Sequence, residues 1–231
     1  MSNRSKLEKF ADNKKFSNVF ENNSYEQPQL FSGFNTIVDY KGKWSKEYFK
    51  NNYKLVLELA CGRGEYSLGL HNLYSDINII GVDIKGARIW KGASHSLHEK
   101  MNRVAFIRTK IELITNFFGE GEVEEIWITF PDPFPRPGKS NKRLISPFYL
   151  GLYEKILKKG SILHLKTDDD NLYNFGIESL QQSPKFTIIT QNNDIYSKPL
   201  ENEALSIKTY YERMHLQNGK TIKYIQAEYL G

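Results

Sequence analysis

Asp132 is a lone carboxylate in the run IWITFPDPFPRPGKSNKRL (126–144), followed within eleven residues by Arg136, Lys139, Lys142 and Arg143 and by no other acid. One acid ahead of a basic stretch suits chemistry on a polyanion, in which cations grip phosphates and the carboxylate addresses the reacting group. The plainer reading is a strand-to-helix connection whose charges are solvated. A second constellation lies upstream: Glu58 in LELACGRG (57–64), the glycines Gly62 and Gly64, and Asp83 closing the run INIIGVD. Glycines directly after a strand let the backbone approach a ligand, and the next helix offers its N-terminus. Two cofactor classes use this arrangement. A dinucleotide fingerprint requires a third glycine, where Ser67 stands instead. S-adenosylmethionine sites combine an acid in the first strand, a glycine turn and an acid ending the second strand, and Glu58 with Asp83 favours this class. Asp83 suits the ribose hydroxyls of either.

The elements that must position these residues follow from pattern. Leu55–Ala60, Ile77–Val82, Val104–Ile107, 126–130 and Ser161–Lys166 are short, β-rich apolar runs. Pro131, Pro133 and Pro135 end the fourth run, which puts Asp132 at a strand mouth, where open α/β sheets place their ligands. Helical spacing from Glu65, over about 85–100, over Ser146–Lys158 and over about 170–181 alternates with these strands, with Gly160 as the stop of the third helix. Phe186–Thr190 and Thr221–Ala227 complete the set, with no clear helix between them and an antiparallel ending expected. The alternation predicts an α/β fold with a mostly parallel, doubly covered sheet. Residues 1–29, polar and basic, are expected as a loosely held arm, with one domain over 30–231.

Length and a hydrophobic share of 39% suit one α/β domain, and a net charge of +5 permits an anionic partner without proving one. Cys61, alone, forms no internal disulfide. No run approaches the roughly 18 apolar residues of a membrane span, so the expectation is a cytoplasmic protein that is not membrane-bound. Asp168-Asp169-Asp170 opens a helix, where N-capping explains it better than a metal; His95 and His98 are read as surface residues and Cys61 as packing. No metal is expected, and no obligatory protein partner is evident.

Together the motifs resemble the bacterial tRNA (guanine-N7-)-methyltransferases, the TrmB family. The matching pieces are DYKGKW (39–44), LELACGRG, GVDI (81–84), FPDPFP (130–135), NKRL (141–144), HLKTD (164–168) and TYYE (209–212). The resemblance implies a class I S-adenosylmethionine-dependent methyltransferase (Rossmann-like) fold, with a seven-stranded, mostly parallel sheet carrying one antiparallel strand. It implies tRNA as partner and methyl transfer to guanine N7 in the variable loop. It makes Asp132 catalytic and places Glu58, Gly62, Gly64, Asp83, Lys110 and Asp132 around the cofactor. Arg136, Asp168, Thr209, Tyr210, Tyr211 and Glu212 would meet the substrate, and Lys139, Lys142 and Arg143 its phosphates. Three departures stand out. Ala60 replaces the usual first glycine, Pro137-Gly138-Lys139 replaces a more basic run, and Lys110 replaces an acid near the adenine, with Glu112 or a backbone amide as alternative carriers. The alternatives to be weighed are an exocyclic-amine methyltransferase of the same fold and a non-catalytic RNA-binding module.

Overall fold

Apolar runs bounded by turn residues become the strands, and the amphipathic stretches between them become the covering helices. The computed structural model describes residues 4–22 and 24–231. The chain falls into two units, the first ending at Gly119 and the second beginning at Glu120.

The first unit contains helix α1 (Lys6–Asn13) and strands β1 (Val19–Glu21), β2 (Leu30–Ser32) and β3 (Thr36–Val38). Next come a π-type turn at Trp44–Tyr48, β4 (Lys54–Leu59), α2 (Glu65–Leu73), β5 (Ile77–Asp83), α3 (Gly86–His98) and β6 (Val104–Arg108). Its strands lie in the order β3-β2-β1-β6-β5-β4. From β1 to β4 the neighbours are parallel, while β2 and β3 add antiparallel strands at the edge. Parallel strands are buried on both faces, and all seven residues of β5 are buried. The DYKGKW motif serves packing. Tyr40, Trp44 and Tyr48 surround Phe20 with ring centroids 5.0–5.8 Å away, and the fully buried Trp44 donates its indole N–H to the Phe117 carbonyl at 2.8 Å.

The second unit contains β7 (Val123–Thr129), α4 (Pro147–Tyr153), β8 (Leu157–Thr167), α5 (Asp170–Gln182), β9 (Phe186–Asn192), α6 (Tyr210–Gln217) and β10 (Lys223–Tyr229). Their order is β7-β8-β10-β9, with β7 and β8 parallel and β10 antiparallel to both its neighbours.

Several expectations need correction. Residues 1–3, at the start of the expected arm, and residue 23 lie outside the described residues. Within that arm, α1 and β1 are folded, and β1 joins the sheet beside β6. Tertiary anchors hold them: the Asn13 side chain donates to the Gly86 carbonyl at 2.8 Å, the Trp90 indole donates to Asp12 at 2.9 Å, and Phe20 fills the aromatic cluster. Helix α4 stops at Tyr153 rather than Lys158 because Leu157 already pairs with Val123. Gly160 therefore lies inside β8 with φ +83°, where the register with β7 shifts, so it serves a bend in a strand and not a helix stop. A helix, α6, does separate the last two strands, and β1–β3 are strands of the first unit that the sequence pattern did not reveal.

Candidate active site

The first unit carries the cofactor motifs. Strand β4 ends at Leu59, and the chain turns through Ala60, Gly62 and Gly64 at φ of +56°, +55° and +68°. All three lie in the left-handed region that favours glycine, so Ala60 holds a strained conformation. At Gly64 a Cβ would come within 2.5 Å of the Phe106 ring, so only glycine fits there. Asp83, at the mouth of β5, accepts the Gly62 N–H at 2.8 Å and the Lys85 N–H at 2.7 Å, which fixes its carboxylate against the turn. At the adjacent mouth of β6 the buried Thr109 hydroxyl has no hydrogen-bond partner, while the Thr109 N–H donates to the Asp83 carbonyl at 3.1 Å. A fixed acid, a glycine turn and an orphaned hydroxyl fit a nucleoside-bearing cofactor.

Two expected cofactor residues are placed otherwise. Glu58 is buried, and one carboxylate oxygen accepts both the Ser67 N–H, at 2.8 Å, and the Ser67 hydroxyl. It ties the start of α2 to β4 from within the core. Ser67, the residue that breaks the dinucleotide fingerprint, is thus a packing partner. Lys110 is exposed, and its ammonium lies over the Tyr25 ring at 4.4 Å.

The second unit carries Asp132. Strand β7 ends at Thr129, and Asp132 stands exposed in the irregular segment beyond it. Phe130 and Phe134 bracket it at φ +49° and +42°. Left-handed non-glycine residues on both sides of one carboxylate mark a strained, fixed loop of the kind found at functional sites. Arg143 holds that loop. Its guanidinium donates to the Pro133 carbonyl at 3.0 Å and the Phe134 carbonyl at 3.2 Å, and stacks on Phe175 at 4.4 Å. At 8% exposure Arg143 is a buried clamp, which corrects its expected role as a phosphate contact. Arg136, Lys139 and Lys142 are exposed on the same loop.

The TYYE segment is the larger correction. Thr209 caps α6, its hydroxyl accepting the Glu212 N–H at 3.1 Å. Glu212 is fully buried, paired with Lys166 at 2.8 Å, and accepts the Tyr196 hydroxyl at 2.6 Å. The Lys166 ammonium also donates to the carbonyls of Leu205 and Ile207 at 2.9 and 3.2 Å. Burial holds the Lys166 pKa below the ordinary lysine value, with Glu212 opposing. Enclosed this way, Glu212 is a latch between β8 and α6 rather than an open acceptor for a base. Tyr210 and Tyr211 remain exposed at the start of α6. Asp168, half-buried at the end of β8, pairs with Lys220 and with His215. Asp169 caps α5, accepting the Leu172 N–H at 2.7 Å, and among the described residues no His/Cys/Asp/Glu group could hold a metal. Cys61 is buried, and that burial pushes its thiol pKa well above the ordinary value, so it packs rather than reacts.

Sequence reasoning missed Ser67, Thr109, Lys166 and Tyr196. Only Lys166 left a signal: a lysine inside an apolar strand must find a buried partner.

The chain is similar to known methyltransferases. The family model described as "Putative methyltransferase" matches residues 52–225. A tRNA (guanine-N(7)-)-methyltransferase of Bacteroides fragilis is 45% identical over 96% of this chain and 85% of its own length. One from Christiangramia forsetii is 42% identical over 98% of both chains. Among solved structures, the 16S rRNA methyltransferase KamB superposes with a TM-score of 0.61 at 11% identity, over 85% of this chain and 97% of that one, which shows the class I methyltransferase fold.

Proposed function

The chain belongs to the tRNA (guanine-N(7)-)-methyltransferase family, and on that ground we infer that the guanine it methylates lies in the variable loop of tRNA. It is an S-adenosylmethionine-dependent transferase acting at guanine N7 of tRNA. The observation that carries the assignment of its parts is Asp132, standing open at a strand mouth in a loop that Arg143 holds.

Bound against Asp83 and the Gly62–Gly64 turn, S-adenosylmethionine supplies an electrophilic methyl group on a sulfonium. Asp83 has lone pairs left for ribose hydroxyls after accepting its two backbone amides. Guanine N7 has a lone pair and no proton, so no general base is needed to free the nucleophile. The chain's task is alignment and electrostatic support. Methylation leaves the ring cationic, and Asp132 meets that growing charge or accepts from the N1–H and N2–H edge. The clamp by Arg143 keeps Asp132 in place without reorganisation during the reaction. Tyr210 and Tyr211 offer exposed faces for stacking on an unpaired base. Arg136, Lys139 and Lys142 take phosphates, and Asp168, released from Lys220, offers a further acceptor. The same reading places the enzyme in the cytoplasm; among the described residues no helix is long and apolar enough to cross a membrane.

The test is single-turnover methylation of bulk tRNA, with the product nucleoside identified by mass spectrometry. Asp132→Asn keeps the shape, removes the charge and should slow the step roughly 10²–10³-fold. A fully active Asn variant takes Asp132 out of the chemistry, and a product methylated on an exocyclic amine overturns the N7 assignment.

A further inference from the structure

We propose that α1 and the first turns of α3 form a preassembled grip for the tRNA backbone, in addition to the basic loop after β7. The inference rests on tRNA being the substrate and concerns which surface of the first unit holds it.

α1 is docked, not dangling. A capping box between Ser5 and Glu8 closes its start. Asn13 and Asp12 bind α3 through the Gly86 carbonyl and the Trp90 indole. The approach is close: a Cβ on Gly86 would lie 2.7 Å from the Phe10 ring and 2.8 Å from the Arg108 side chain. The Arg108 guanidinium in turn covers Phe10 at 4.6 Å. Phe10 is thus turned toward α3 and Arg108, while Leu7 stays exposed on α1.

What remains outside is basic. Lys6 and Lys9 project from α1, and Lys85, Arg88 and Lys91 follow at intervals of three along the start of α3. On these two helices no free acid offsets Lys6, Lys9, Lys85 and Lys91. The only two on α1 are committed, Glu8 to the cap and Asp12 to Arg4 and Trp90, and α3 has none from Gly86 to His98. Among the described residues, Lys6, Lys9, Lys85 and Lys91 have no carboxylate within ion-pair distance. Two of them are held over aromatic rings, Lys9 on Trp90 at 5.3 Å and Lys6 on Phe10 at 6.0 Å, which lowers the ordering cost of gripping a phosphate. Lys85 follows Asp83 by two residues, so this face begins at the mouth of β5 that holds the cofactor acid. Unbalanced cations that begin at the mouth of β5, next to the cofactor acid, fit a phosphate backbone.

The experiment measures tRNA affinity against salt for the full chain and for the quadruple variant Lys6→Ala/Lys9→Ala/Lys85→Ala/Lys91→Ala. Each lost phosphate contact lowers the slope of log K against log[salt] by about 0.7–0.9, so four lower it by about 3. S-adenosylmethionine affinity, measured by calorimetry without tRNA, should not move. If the quadruple variant fails to fold, Lys6→Ala and Lys91→Ala singly should each lower the slope by about 0.7–0.9. An unchanged slope with N7-methylguanosine still formed overturns the grip and leaves the family function standing, whereas a wild-type chain that forms no such product overturns the function itself. An unchanged slope with weakened binding to phosphatidylserine vesicles would make the surface a membrane contact and also overturn the grip.

Discussion

Replacing Glu212 with Gln asks whether the TYYE acid serves the substrate or the fold. Lys166 and Glu212 are paired at 2.8 Å with both side chains fully buried. Gln keeps the shape and can still accept the Tyr196 hydroxyl, but it leaves the Lys166 ammonium facing a neutral amide and the carbonyls of Leu205 and Ile207, with no carboxylate from Glu212. Breaking a buried pair from one side costs about 3–5 kcal/mol, because the surviving charge stays out of water. For a chain of this size each kcal/mol moves the melting midpoint by about 2–4 °C, so Glu212→Gln should lower Tm by about 6–20 °C. Lys166→Met should cost a similar amount. The double variant Lys166→Met/Glu212→Gln removes both charges and should cost less than the two single changes added together. Differential scanning calorimetry of the four proteins at one salt concentration closes the cycle. If Glu212→Gln melts like the wild type while its tRNA affinity collapses, the latch is refuted and the acid faces the substrate.

Three further outcomes follow from the same geometry. Lys142→Ala should lower the salt slope of tRNA binding by about 0.7–0.9; Arg143→Ala should leave that slope unchanged but slow single-turnover methylation, and equal losses of slope in both would return Arg143 to the phosphates. Ala60→Gly should relieve a left-handed alanine worth about 1–2 kcal/mol, less about 0.4–1 kcal/mol of added chain entropy, and so raise Tm slightly in a thermal melt. Cys61, its thiol pushed up by burial, should resist alkylation by iodoacetamide at neutral pH in the folded protein and react only in denaturant; rapid native labelling would show that the turn opens.

The parallel strands and the position of Asp132 were legible because apolar runs and prolines act locally. The turn after β4 was legible because Gly62 and Gly64 mark it locally, whereas Glu58, one of the two spaced acids, serves the core. The role of Glu212 was not, since a motif gives a residue's type and not its partner, and Lys166 lies 46 positions away. Arg143 misled for the same reason: in sequence it is one of four cations, and only the carbonyls of Pro133 and Phe134 set it apart. The N-terminal segment was unreadable because its strands are three residues long and α1 has eight, too short to display a period. Lys158-Lys159-Gly160 reads like the end of a helix, but pairing with β7 overrides that local preference.

The parallel pairing of β1 with β6 has a consequence for synthesis on the ribosome. Glu21 and Arg108, joined across it, are 87 residues apart in the chain. At roughly 5–20 residues per second, β1 waits on the order of 4–17 s after its own translation before its neighbour exists. During that interval Val19 and Phe20, buried in the finished protein, have β2 beside them but not β6. One edge of β1 thus stays open until β6 is made, and the cations of Arg4 to Lys15 before it favour solubility of the nascent chain meanwhile.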